Sequence, residues 1–254
     1  MPVGDKDWID RGTYWQHIYD QLSKRWKDER YRFTASWFSA AANQTFYRGE
    51  EDAISHFTGV KVQRCVKDKI ASNYGLVTEA VARDWYRSYF GRQVREVGLL
   101  VPKWDDRIGY SPDGEVEGDS NAANPIDRED GLVEIKCLLY VPPQLKKFIE
   151  AMQRGHTFPP GYHDHIFIAH YDQMQGGMAI TGKKWCDYIV FVPNEEFCYV
   201  ERFYFDEIYW VNHLYKSIRD FLHRHKSLFD RLKERSKQQH CDESYQQYQQ
   251  IISY

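Results

Sequence analysis

The chain has 254 residues, 42 % of them hydrophobic and 28 % charged, with a net charge of −3 at pH 7. That balance fills a core and gives no global basic signature of a protein that coats nucleic acid, although clustered carboxylates can offset a local basic groove. No apolar run approaches the roughly 20 residues of a membrane helix, "MPVGDKDWIDRG" lacks the apolar stretch of a signal peptide, and five cysteines without a CxxC pair point to reduced thiols in an intracellular compartment rather than to a cysteine zinc site.

Residues 8–58 read as mostly helical, with Thr34 or Ser36 able to cap the helix that runs through Phe38 and Ala42. "YGLVTEAVARDWYRSYFG" predicts a second helix with Val77, Val81, Trp85 and Phe90 near one face, stopped at Gly91. "REVGLLVPKW" reads as a strand ended near Pro102, and "RIGYSPDGEV" as a strand entering a Pro-Asp-Gly turn. Residues 117–131 are polar and predict an exposed loop or hairpin tip, an insertion at the edge of whatever site the turn builds. After the strand "LVEIKCLLYV", Pro142 and Pro143 open a helix through "QLKKFIEAMQRG". A loop leads to the helix "IFIAHYDQMQGGMAITG", ended at Gly176–Gly177 or Gly182. The strands "KWCDYIVFVP" and "CYVERFYF" follow. From Ile208, apolar residues at Val211, Leu214, Tyr215, Ile218 and Leu222 mark a long amphipathic helix before a Gln-rich tail. No repeat or linker divides the chain. A single domain is expected: a helical part over about 1–92, a sheet core over about 93–206, and a C-terminal helix and tail over 207–254.

In "GLVEIKC" the alternation of a strand puts Glu134 and Lys136 on one side and Val133, Ile135 and Cys137 on the other. An exposed salt-bridge face would account for that pair alone. Asp113, in a turn at the end of the neighbouring strand, adds a second carboxylate that can converge with Glu134. Two hard oxygen ligands, the Ile135 carbonyl and waters suit Mg²⁺. A lysine beside them can orient an attacking water or stabilise charge developing on phosphorus.

Pro112-Asp113 followed by Glu134-Ile135-Lys136 resembles the PD-(D/E)xK nucleases. "SPDG" (Ser111 to Gly114), "EIKC" (Glu134 to Cys137), "FTAS" (Phe33 to Ser36), "YGLVTEAVARDWY" and "YDQMQGGMAITGKKWCDYIVF" are similar, in order, to segments of the lambda-exonuclease-type family, also called viral recombinase, alkaline exonuclease or YqaJ-like. The resemblance implies an α/β fold, a mixed sheet flanked by helices, and 5′ to 3′ digestion of double-stranded DNA from 5′-phosphorylated ends. It implies one or two Mg²⁺ ions (or Mn²⁺) on Asp113, Glu134 and the Ile135 carbonyl. Glu79 would serve as an extra acid, Lys136 would act on the attacking water, and Gln173 would orient that water or a ligand. Ser36, Ser111 and Arg30 or Arg32 would meet the DNA-end phosphate; the family's arginine before "TAS" is replaced by Glu29. No arginine follows Pro142–Pro143, where Lys146 or Lys147 is the substitute. The family also implies a strand-annealing recombinase as partner and a ring-shaped homotrimer.

Other readings stand beside this one. Gln175 fits a core-edge hydrogen bonder as well as a site residue, Trp37 fits the core better than it fits a stacking platform for a base, and Glu79 fits an i+4 pair with Arg83. His163, Asp164, His165 and His170 can be drawn as a zinc site without any helix-spaced signature. An endonuclease of the same superfamily and an inactive DNA-end-binding module are the functional alternatives.

Overall fold

The computed structural model describes residues 6–44, 49–60 and 66–238, the side chains of 66–73 excepted. The predicted Gln-rich tail lies outside the described residues from 239 on.

The chain opens not with a helix but with strands β1 (Trp8–Asp10) and β2 (Tyr14–His17), paired antiparallel. The expectation of helix over 8–58 missed the turn between them. Asp10 Oδ1 accepts from Gly12 N at 2.8 Å, and Gly12 takes φ +85°, a reversal that glycine makes without strain. Ser23 caps α1 (Lys24–Glu29) by accepting from Trp26 N at 3.2 Å. After β3 (Phe33–Thr34), a 3₁₀ turn at Ala35–Trp37 runs into α2 (Phe38–Ala41). Neither expected hydroxyl caps it, and Thr34 Oγ1 instead lies 3.3 Å from Ser36 Oγ. Helix α3 (Glu50–Thr58) ends at Gly59 with φ +75°.

Helix α4 spans Val66–Phe90 and stops at Gly91, as expected, but turns its other face inward. Thr78, Ala82, Arg83 and Tyr86 are buried, whereas Val77, Val81 and Phe90 are exposed, Val77 by 78 %. Small Ala82 lets the helix approach the sheet. Tyr86 and Arg83 go inside because they find partners there, Tyr86 donating its O–H to Asp187 Oδ2 at 2.5 Å.

The remaining strands are β4 (Val94–Arg95), β5 (Leu100–Pro102), β6 (Ile108–Gly109), β7 (Gly114–Val116), β8 (Gly131–Cys137), β9 (Trp185–Val192) and β10 (Phe197–Tyr204). The main sheet has the order β10-β9-β8-β7-β4, with β8 and β9 parallel and the other neighbours antiparallel. A parallel pair needs a crossover, here supplied by α5 (Pro143–Gln153) and α6 (Ile168–Thr181), the latter closed by Gly182 at φ +73°. Strand β5 completes a small sheet with β1 and β2, and β3 pairs parallel with β6.

Each face of the main sheet is covered. Val133, Ile135, Cys137, Trp185 and Ile189 meet Ala82 and Tyr86 of α4 on one side. Leu132, Cys186, Tyr188 and Val190 join Met174 and Met178 of α6 in the larger core on the other. Past β10, a short α7 (Glu207–Tyr209), a π-helical turn (Trp210–Leu214) and α8 (Tyr215–Arg224) bury Leu214, Ile218 and Leu222, while Val211 is half exposed. The mixed sheet with helices on both faces is the α/β architecture read from the sequence.

The polar excursion 117–130 does not border the turn at Asp113. Ladder pairs Gly114↔Val133, Glu115↔Leu132 and Val116↔Gly131 put it at the opposite end of the β7–β8 hairpin. There Trp185 Nε1 donates to the carbonyls of Ile126 and Glu129, both at 3.1 Å, and Arg202 pairs with Asp127 and Asp187.

Candidate active site

Strand β8 delivers Glu134 and Lys136 to the α6 side of the sheet, because Val133 and Ile135 claim the α4 side. Asp113 enters from the turn before β7, and its Oδ2 accepts from Ile135 N at 2.7 Å. Glu134 is fully buried; its Oε1 accepts a hydrogen bond from Lys136 Nζ, while its Oε2 has no partner among the described residues. Glu79, on α4, reaches the same place and is bonded through Oε1 to Arg83 Nη2 at 2.6 Å. The i+4 pair is therefore present, and it faces the site: Arg83 Nε also donates to the Asp113 carbonyl at 2.8 Å, and Nη1 pairs with Glu96 at 2.6 Å.

The electrostatics follow from placing three acids within charge range of one ammonium; of the three, Glu134 alone touches it. Burial pushes Glu134 up to about 8, with Asp113 and Glu79 adding to the rise and Lys136 opposing it. Burial, then the Asp113 charge, lifts Glu79 to about 7. Asp113 is raised by burial against the pull of Lys136. Burial alone would lower Lys136, but Glu134 and Asp113 outweigh it and hold the ammonium protonated.

These groups open into a cleft of about 650 Å³. Glu79, Asp113 and Lys136 line it together with Ser36, Ser111, Arg30 and Gln173. Ser111 Oγ accepts from Trp26 Nε1 at 3.0 Å, and the Arg30 guanidinium lies 4.4 Å from the Trp26 ring. Arg32 is the exception among the expected phosphate contacts: it is 2 % exposed and does not reach the cleft. Glu29, where the family's arginine is replaced, captures it at i+3, and its Nε donates to the Asp106 carbonyl at 2.9 Å. Lys146 and Lys147 do not line the cleft either.

Gln175 is buried as core structure, donating to the Tyr204 carbonyl at 2.9 Å and accepting from Asp206 N at 2.8 Å. Trp37 is buried against His56 and Phe57. The histidines of the zinc alternative go separate ways. His163 stacks on Tyr171, His165 bonds Glu201 at 2.5 Å, and His170 Nδ1 meets Tyr188 O–H at 2.8 Å.

Among the described residues, no group of three or more His, Cys, Asp or Glu side chains is drawn together as a metal-binding set. The donor chemistry of the acids nevertheless fits a divalent cation. The carboxylates of Glu79 and Asp113 line one cleft, and the second oxygen of Glu134, buried beside them, lacks the hydrogen bond that such an atom requires.

Several cleft residues carried no sequence signal: Gln21, Leu22, Trp26, Tyr110 and Phe167. His170, also in the lining, had one: it stands one turn before Gln173 on α6, as Arg83, which supports the wall from behind, stands one turn after Glu79 on α4.

A mixed sheet with an acidic turn on one strand, an E-x-K strand beside it and an acid on the packed helix is the arrangement of PD-(D/E)xK nucleases. The sequence profile of the YqaJ-like viral recombinase domain matches residues 24–184, more than half of the chain. The protein belongs to that family, the lambda-exonuclease type. Among solved structures it is similar to two of the alkaline exonuclease LHK-Exo of Laribacter hongkongensis, one of them in complex with dAMP. Both comparisons give 24 % identity and a TM-score of 0.57, covering 85 % of this chain and 99 % of that one. Among curated proteins there is no match.

Proposed function

We propose that this protein is a divalent-metal-dependent exonuclease that hydrolyses linear double-stranded DNA, 5′ to 3′ from 5′-phosphorylated ends, with the whole chain acting as one nuclease domain. The observation that carries the reading is the meeting of Asp113, Glu79 and Lys136 with buried Glu134 at one end of a cleft whose walls hold Ser36, Ser111, Arg30 and Gln173. Asp113 and Glu134, with the Ile135 carbonyl, are the groups that would hold Mg²⁺ or Mn²⁺, one or two ions, with Glu79 as the further acid. A bound cation would supply Lewis-acid stabilisation of charge on the attacked phosphate. Lys136 hydrogen-bonds the incoming water and the developing negative charge through an ammonium that its acidic neighbours keep protonated. Gln173 orients the water from α6. Ser36 and Ser111 donate hydroxyl hydrogen bonds to a terminal phosphate, and Arg30, held over Trp26, faces it with its charge. Family membership supports a role in DNA recombination, with a single-strand-annealing recombinase receiving the exposed 3′ strand and a homotrimeric ring as the working assembly.

The test is digestion of linear duplex labelled at the 5′ or the 3′ end, with and without a 5′-phosphate, in Mg²⁺. Early release of 5′-labelled mononucleotide that depends on the 5′-phosphate is expected. Cleavage of closed circular duplex would favour the endonuclease reading, and tight end binding without turnover the inactive module.

A further inference from the structure

Gln21 lies outside the family-matched segment 24–184 and touches the site at its most sensitive point. Its Nε2 donates to the Pro112 carbonyl at 2.7 Å and to the Val97 carbonyl at 3.1 Å, so both hydrogens of one amide nitrogen are used. Together with Trp26 on the Ser111 hydroxyl and Arg83 on the Asp113 carbonyl, it means that three consecutive residues of the acidic turn are each held by a side chain from elsewhere.

Two further features place Gln21 there. Leu22, which follows it, adopts φ +69°, a left-handed backbone that a branched side chain rarely takes and that persists only where surrounding structure imposes it. The segment leading up to Gln21 passes so close to Gly98 that an added Cβ would stand 2.5 Å from the carbonyl oxygens of His17 and Tyr19. The chain before the family segment is thus threaded against residue 98 and turned through a strained residue to bring one carboxamide under Pro112.

We propose that Gln21 is a positioning residue for Asp113: by fixing the Pro112 peptide it sets the direction of the carboxylate that binds the divalent cation, and it makes the N-terminal strands part of the catalytic apparatus. This rests on the metal-dependent reading above. Gln21→Glu and Gln21→Met keep the shape and remove both donors. Outer-shell partners of this kind change metal affinity or activity by about 10- to 100-fold. Mn²⁺ binding to the full-length protein without DNA, followed by electron paramagnetic resonance, should weaken by that factor in both variants. On linear duplex, kcat should fall similarly with KM within about twofold, and the loss in kcat should shrink at high Mn²⁺ in both variants. Gly98→Ala, which shifts the same segment without touching Gln21, should reproduce the loss in Mn²⁺ affinity. Unchanged Mn²⁺ affinity in a folded Gln21→Met protein overturns the proposal. So does a rise in KM alone, which would make Gln21 a DNA contact. Should native protein bind no Mn²⁺, or Asp113→Ala bind it equally well, the metal reading itself fails, a result distinct from either of these.

Discussion

Asp172 sits on α6 next to Gln173, fully buried, with Oδ1 accepting from Tyr209 O–H at 2.5 Å and Oδ2 without a partner among the described residues. Burial lifts its carboxyl from 3.8 to about 7, the Tyr209 hydrogen bond pulling the other way. A carboxyl raised on folding holds its proton more tightly folded than unfolded. Its favourable contribution is therefore complete below about pH 4 and is lost as pH rises through about 7. A gap of this size corresponds to about 4 kcal/mol, spent in full only above pH 7. Asp172→Asn keeps the acceptor for Tyr209 and removes the titration, but it places an unpaired amide N–H₂ in the pocket at about 1–3 kcal/mol. The variant should therefore be more stable than the native protein at pH 8 by about 1–3 kcal/mol. That advantage should shrink by about 2–3 kcal/mol on going to pH 5, where about 2 kcal/mol of the contribution is already lost and the two proteins fall within about 1 kcal/mol of each other. In a protein of this size each kcal/mol moves Tm by about 2–4 °C. Thermal unfolding of both proteins from pH 5 to 8 at fixed ionic strength reads the difference directly. A Tm difference that does not change with pH, or that favours the variant more at pH 5 than at pH 8, would refute the buried-carboxyl argument.

Asp113→Ala and Lys136→Ala should each lower cleavage of linear duplex by at least about 100-fold while circular dichroism and Tm stay near native; activity retained by either removes it from the chemistry. Glu79→Ala should reduce turnover by about 10- to 100-fold, more at low Mg²⁺, and a metal titration showing no change would leave Glu79 as the partner of Arg83 alone. Gly177→Ala improves helix propensity by about 1 kcal/mol, yet its Cβ would stand 2.4 Å from the buried Tyr110 ring. Overpacking at about 1–3 kcal/mol should outweigh the gain, lowering Tm and disturbing the cleft wall at Tyr110; a higher Tm with native activity would show that the ring yields freely.

The parts of this fold legible in the sequence are those specified locally. The alternation in β8 assigns Glu134 and Lys136 to one side before any partner strand is known, and Pro112-Asp113-Gly114 announces its own turn. Gly91 ends α4 where expected, and of the two stops read for α6 it is Gly182 that ends it, Gly176 and Gly177 lying inside the helix. The misreadings fall where distant chain decides. Strand β2 exists because β5, far along the chain, pairs with it. The apolar stripe of α4 pointed outward because its buried face is chosen by what it touches: Arg83 and Tyr86 are inside for the carbonyl of Asp113 and the carboxylate of Asp187. Arg32 read as a phosphate contact by its place near "TAS", but Glu29 three residues earlier had already taken it. Gln21 is invisible for the same reason, since nothing near it in sequence names Pro112 as its acceptor.

The hairpin joining β7 to β8 has a consequence for how this family can diversify. The gap between the two acids along the chain is set by the excursion 117–130, while their gap in space is set by three rungs of ladder at the other end. The excursion is moored to Trp185 and Arg202, on strands behind the acids. Chain length can drift beyond those moorings, around residues 120–123, without either carboxylate moving, so spacing between the two motifs is a poor guide to kinship while the rungs beneath them are a good one.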